Sequence, residues 1–158
     1  MSQLVELVFD GASLAAAGGL LDDLLARTRG AHSVEIDGVP LESPTHGQDQ
    51  FACISGFAWI RLGELLLPEL APIANAALRI LRVGEVWDVE LNLDLDDVAA
   101  PELLTGALHE LARTLAERHG VTLYYAGLEP AVDEDTRLFT GLTLGPFRLS
   151  ALPIAPRE

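Results

Sequence analysis

The stretch Glu85–Asp96 alternates with a period of two. Trp87, Val89, Leu91, Leu93 and Leu95 fall on one side, and Asp88, Glu90, Asn92, Asp94 and Asp96 on the other. Successive side chains of a strand leave opposite faces, so a strand separates the two sets, whereas a helix would spread them around its circumference. Such a strand covers a core with one face and meets water or a partner with the other, the habit of antiparallel sheets backed by helices on one side. The rest of the chain has to fit around that sheet.

Leu4 to Phe9 reads as an interior strand, apolar on both faces. Ser13 caps a helix with the stripe Leu14, Ala17, Leu21, Leu24 and Leu25, and Gly30 stands where a glycine stop belongs. Gly18-Gly19 weakens its middle by roughly 1 kcal/mol per glycine, which predicts an irregular first turn. A short strand over His32–Ile36 ends at the turn Asp37-Gly38, and Ser43-Pro44-Thr45-His46-Gly47 is a loop by composition. Phe51 to Ile60 is an apolar strand. Pro72 at a first turn, followed by apolar residues up to Gly84, predicts a helix over about 72–83. Pro101 opens another helix with Leu104, Ala107, Leu108, Leu111 and Leu115 inward, stopped at Gly120. Val121–Tyr125 is a strand, Ala126–Asp135 an acidic loop, and Arg137–Leu144 a last strand.

Val5-Glu6-Leu7 recurs as Val89-Glu90-Leu91, and Asp10 as Asp94. Each is followed by a helix, a glycine stop, a short strand, a loop and a longer strand. The expectation is one α+β domain over residues 1–158, a mainly antiparallel sheet with helices on one face. It contains two strand-helix-strand-strand halves, about 3–61 and 86–150, joined by the 72–83 helix. The order of elements is similar to that of small-molecule-binding proteins built from paired modules of this kind, without a motif to support more.

Charge narrows the function classes. Twenty-four acids face ten bases, all arginine, for a net charge of −14. A nucleic-acid binder neutralises phosphates with a basic patch, so this chain is read as binding no nucleic acid and no anionic membrane. The same field favours a basic protein partner. No apolar run approaches the ~20 residues of a membrane span, and the N-terminus is no signal peptide, so the expected location is cytoplasmic. A hydrophobic fraction of 49% leaves room for a homodimer interface.

The motifs of chemistry fail one by one. A calcium loop begun at Asn92 accepts Asp94 and Asp96, but Asp97 replaces its glycine and Leu103 its bidentate acid. Cys53 is alone, which excludes a cysteine zinc cluster; with His46 and Asp49 nearby it forms the one nucleophile-like group, yet it lies in an apolar strand where a thiol behaves as a small hydrophobe. His109 and His119 stand about 15 Å apart on one helix, too far to share a metal. Phe9-Asp10-Gly11-Ala12-Ser13 has the place of a phosphate loop but lacks its glycine spacing and lysine. No catalytic residue, metal or cofactor is assigned.

Two segments are left as binding candidates. The acidic strand face presents Asp88, Glu90, Asp94 and Asp96, extended by Glu85, Asp97 and Glu102 with no arginine or lysine between Arg82 and Arg113. As a plain alternative it is a solvated face whose like charges discourage edge pairing. The second segment is Tyr124-Tyr125 with the acids Glu129, Asp133, Glu134 and Asp135 and Arg137 behind them. Tyrosine and arginine are the residue types enriched in interface hot spots, and tandem tyrosines at a strand end put one ring in the core and one outside. The reading that follows is a non-enzymatic, acidic protein-binding module of the inhibitor or immunity type, or a chaperone, masking a basic protein partner. The alternative is a small-molecule sensor or carrier with a cleft between the halves, lined by residues such as Trp59, Trp87, Tyr124 or Tyr125.

Overall fold

The computed structural model describes residues 3–30, 32–41 and 56–149. Within them one ten-stranded antiparallel sheet is backed by two long helices. The elements run β1 (Leu4–Ala12), α1 (Leu14–Leu25), β2 (Thr28–Arg29), β3 (Ser33–Ile36), β4 (Val39–Leu41), β5 (Phe57–Leu65), β6 (Ile73–Val83), β7 (Val86–Asp94), α2 (Pro101–His119), β8 (Leu123–Leu128), β9 (Arg137–Thr140) and β10 (Thr143–Leu144). Single 3-10 turns lie at Leu95–Asp97 and Glu134–Thr136. The strand order is β10-β9-β8-β1-β7-β6-β5-β3-β4, with β2 paired to β5.

The alternating strand is β7, in the middle of the sheet, paired to β1 on one side and β6 on the other. Its apolar face joins Val5, Leu7 and Phe9 of β1 and Leu78 and Ile80 of β6 in one core with both helices. Ser13 caps α1 by accepting the Ala16 N–H at 3.1 Å, and Gly120 (φ +69) closes α2. Strands β7 and β8 both run antiparallel to β1 and are therefore parallel to each other, a connection that needs a crossover, here α2.

Two expectations need correction. Residues 72–83 form the strand β6, not a helix. Ile73, Ala76, Ala77, Ile80 and Leu81 satisfy helical spacing, but Ala76, Leu78 and Ile80 also alternate with Ala77, Arg79 and Leu81. The turn decides between them: Val83 pairs with Val86 around Gly84-Glu85, and Gly84 has the positive φ (+65) that a two-residue hairpin wants at its first turn position. The second is that the segment joining 3–61 to 86–150 is therefore a strand, β6, which lies beside β7. The two repeated triplets instead sit on paired strands, with Leu7 opposite Leu91. The 42–50 loop, with His46 and Asp49, and Cys53 lie outside the described residues.

Gly18-Gly19 does not break α1, which is continuous over Leu14–Leu25. The glycines make room instead. A Cβ on Gly19 would run into the His119 imidazole. That ring is held by Asp23, whose Oδ2 lies 2.6 Å from Nε2 of His119 and 2.9 Å from Nη1 of Arg118. Burial pushes the Asp23 carboxyl up, but hydrogen bonds from His119 and Arg118 prevail and hold it below the ordinary aspartate value. The clasp ties the end of α2 to the last turn of α1.

Gly19→Ala is expected to lower stability by about 1–2 kcal/mol in urea melts, because it displaces the clasped ring. Helix propensity alone would give a gain of about 1 kcal/mol, so the sign of the change tests the contact. A carboxyl depressed in the folded state contributes stability in full above its unfolded pKa of about 3.9 and loses it as pH falls through the folded value. The stability difference between the native chain and Asp23→Asn should therefore hold above that point and close on further acidification.

Candidate functional site

The face of the sheet turned away from the helices carries Glu6, Val8 and Asp10 of β1 and Asp88, Glu90, Asn92 and Asp94 of β7. Ala77, Arg79 and Leu81 of β6, Trp59 and Arg61 of β5, and Tyr125 of β8 complete it. The ladder register sets these in rows. One row runs Thr140, Tyr125, Val8, Glu90, Arg79, Trp59, Glu35 from β9 to β3. The next runs Gly127, Glu6, Asn92, Ala77, Arg61, Ser33.

Its acids are not equivalent. Glu90 is buried (8% exposed) and its Oε2 lies 2.5 Å from Nε of Arg79. Glu6, buried at 6%, accepts the Ala131 N–H at 3.1 Å. Burial raises the Glu6 carboxyl above its ordinary value, and the nearby charges of Glu90 and Glu129 add to this against the lowering effect of the Ala131 hydrogen bond. At one end Asp10 is likewise raised, first by burial and then by Asp88, whose Oδ1 accepts the Gly11 N–H at 2.9 Å. Asp88, Asp10 and Asp94 are half-buried, and Asp96 is exposed. Asp96 has left the strand: β7 ends at Asp94, whose side chain accepts the Asp96 N–H at the start of the 3-10 turn.

The tyrosines divide as strand alternation requires. Tyr124 joins the core beside Phe9 and Phe139. Tyr125 is on the open face, with the Arg137 guanidinium 4.1 Å from its ring centre. β8 continues through Leu128 into what reads as loop. The segment that follows folds back over this end of the sheet, so Ala131 packs on Val8 and Tyr125. Arg137 holds it through Ala131 O (3.1 Å) and Thr140 Oγ1 (3.1 Å). Glu129, Asp133, Glu134 and Asp135 stay exposed along its rim. Trp87 and Tyr124 therefore lie on the helix side and Trp59 and Tyr125 on the open side, so the four aromatics line no common cleft.

Sequence reasoning missed Glu6, Arg79 and Arg61. The triplet match pointed at Glu6 and Glu90 without revealing that both would be buried. Arg79 was hidden by the helix expected over 72–83. His109, whose Nε2 lies 2.8 Å from Gly141 O, stacks on Phe139 and serves the fold.

The chain is a protein-binding module of the immunity type. It belongs to the PABL017 Cdi1I immunity protein family, whose sequence model matches residues 3–143. A chain of the solved structure described as the toxic C-terminal tip of CdiA from Pseudomonas aeruginosa in complex with immune protein has the same fold. The TM-score is 0.76 at 21% identity, over 92% of this chain and 99% of that one. No curated protein matches the sequence significantly. Among the described residues no helix is long and apolar enough to cross a membrane.

Arg137→Ala removes the clamp on the 129–136 segment. Its expected effect is a stability loss of about 1–2 kcal/mol, since each net hydrogen bond contributes on the order of 1 kcal/mol. Hydrogen exchange should accelerate at Ala131 and Asp133, while the amides of β1 and β7 exchange as before.

Proposed function

We propose that this chain neutralises a toxic C-terminal tip of the CdiA kind by covering a basic surface of it with the open sheet face. Family membership makes the partner a protein, and the structurally similar chain comes from a complex of a CdiA toxic tip with immune protein, which supports the toxin class. The observation that carries the reading is the placement of the acids. Asp88 and Asp94 of β7, Asp96 in the turn after it, and Glu129, Asp133, Glu134 and Asp135 on the folded-back loop border the sheet face that neither helix covers. Glu90 and Tyr125 act from beneath: one orients Arg79, the other seats Arg137. Tyr124 is a core residue and contributes through packing. With a net charge of −14, encounter with a cationic surface is steered over distances of about a Debye length, roughly 8–10 Å at physiological salt.

The test mixes the purified chain with the CdiA toxic tip of its own source organism. Calorimetry should show one tip bound per chain, and co-expression should restore growth to cells producing the tip. Neutralising Asp88, Asp94 and Asp96 together to asparagine should slow association about tenfold at low salt and flatten its salt dependence. Association unchanged in rate and salt dependence would remove the acidic face from the interface, and absence of any complex would end the immunity reading.

A further inference from the structure

Nine of the ten arginines lie in the described residues. Eight of them donate to a carboxylate or a backbone carbonyl. Arg61 is the exception: among the described residues its exposed guanidinium has no ion pair and no hydrogen bond. In a chain with 24 acids, a cation left without an anion needs a local cause. The ladder supplies it. Across β3 and β6 the neighbours of Arg61 are Ser33 and Ala77, and along its own strand they are Trp59 and the bulged Gly63. None of these is acidic, and the nearest carboxylates, Glu35 diagonally across β3 and Asp97, which accepts from Asn75 Nδ2 at 3.3 Å, form no ion pair with Arg61.

The backbone opens a hollow at the same place. β5 is bulged on both sides of Gly63 (φ +72), and opposite it β6 takes Asn75 through a left-handed conformation (φ +59). Bulges of this kind re-aim side chains and locally end pairing. The result is a cavity of about 320 Å³ lined by Ser33, Trp59, Arg61, Gly63, Asn75 and the Ala76-Ala77 pair. That volume is at the small end of ligand sites, which span about 300–1,000 Å³, and suits one inserted side chain. It lies on the same sheet face as the acids, one strand from the Arg79–Glu90 pair.

We propose that this hollow is the anchor site for an aspartate or glutamate side chain of the toxin, gripped by Arg61 and walled by Trp59. The inference rests on the immunity reading above and specifies its chemistry. A guanidinium fork matches a carboxylate through two parallel hydrogen bonds, and arginine and tryptophan are the residue types that dominate interface energies. Charge complementarity assigns the occupant: the acidic side of the face draws a cationic surface, and Arg61, the one arginine beside it without a partner among the described residues, selects an anionic residue within that surface. An acid set among bases on the partner fixes the register of docking, which a field alone leaves free.

The experiment measures toxin-tip affinity by calorimetry for the native chain, Arg61→Ala, Arg61→Lys and Arg61→Glu, with thermal melts run alongside. Arg61→Ala should weaken binding at least tenfold with an unchanged melting temperature. Arg61→Lys should recover only part of the loss, because it cannot bond in two places. Arg61→Glu should weaken binding further and be rescued by one aspartate- or glutamate-to-arginine change on the tip. Native affinity in Arg61→Ala, while the Asp88/Asp94/Asp96 variant still binds slowly, overturns the anchor and leaves the immunity reading standing. A weakening in Arg61→Glu that no acidic-residue reversal on the tip rescues overturns it as well. Absence of complex with the native chain removes the reading and the anchor together.

Discussion

β1 and β7 lie side by side at the centre of the sheet, and their mutual register decides what both faces of the molecule are made of. Leu7 faces Leu91 and Val5 faces Leu93 on the helix side, while Glu6 and Glu90 share the other. A slip of one residue would turn over one of the two strands and send either Glu6 and Asp10 of β1 or Asp88, Glu90 and Asp94 of β7 against α1 and α2, where a charged group has no partner. Burial of an apolar set on one side thus fixes the acidic set on the other. The open face is a consequence of the core.

Two of its carboxylates are nonetheless buried, and each has been given a structural task. Glu90 holds Arg79 across the β7–β6 pair, and Glu6 receives the Ala131 N–H from a segment more than a hundred residues away. Desolvation of such groups consumes most of what their partners return, so they specify geometry more than they stabilise it. Here they lock the 129–136 segment and the β6 arginine row to the middle of the sheet. The open face is therefore a stiff platform, in which Arg137 stacks on Tyr125 and Arg79 is ion-paired within the chain itself.

The strength of β7's alternation made the sheet, its solvent face and the two long helices legible from the residues alone. Where the sequence misled, two periodicities coincided. Residues 73–83 read equally as a helix and a strand, and the arbiter was the short Gly84-Glu85 turn rather than any residue within the segment. The glycine pair in α1 read as a weakness because its cause, the imidazole of His119, stands a hundred residues away. Tyr124 and Tyr125 separated as alternation dictates, but that Arg137 would lie over Tyr125 follows only from the fold-back of the chain after Leu128. The acids were visible as a list. Which of them would be buried was not, since Glu6 and Glu90 have the same local pattern as their half-buried neighbours Asp10, Asp88 and Asp94.

Net charge and recognition act over different distances in a protein of this kind. A field of −14 spread over the molecule attracts any cationic surface within about a Debye length and cannot distinguish one such surface from another. An immunity protein that bound every basic protein in its surroundings would be titrated away from the one it must stop. Discrimination has to come from short-range groups whose pairing is costly to mismatch. On the open face the cationic groups are few, and most are internally satisfied: Arg79 by Glu90 and Arg137 by backbone carbonyls and Tyr125. Against that background the Arg61 guanidinium, without a partner among the described residues and set in a hollow, is the feature that a generic basic surface cannot fill, because it would set like charge against like. On the proposed reading the anionic excess governs how fast the toxin arrives, and Arg61, the exception to it, governs which one remains.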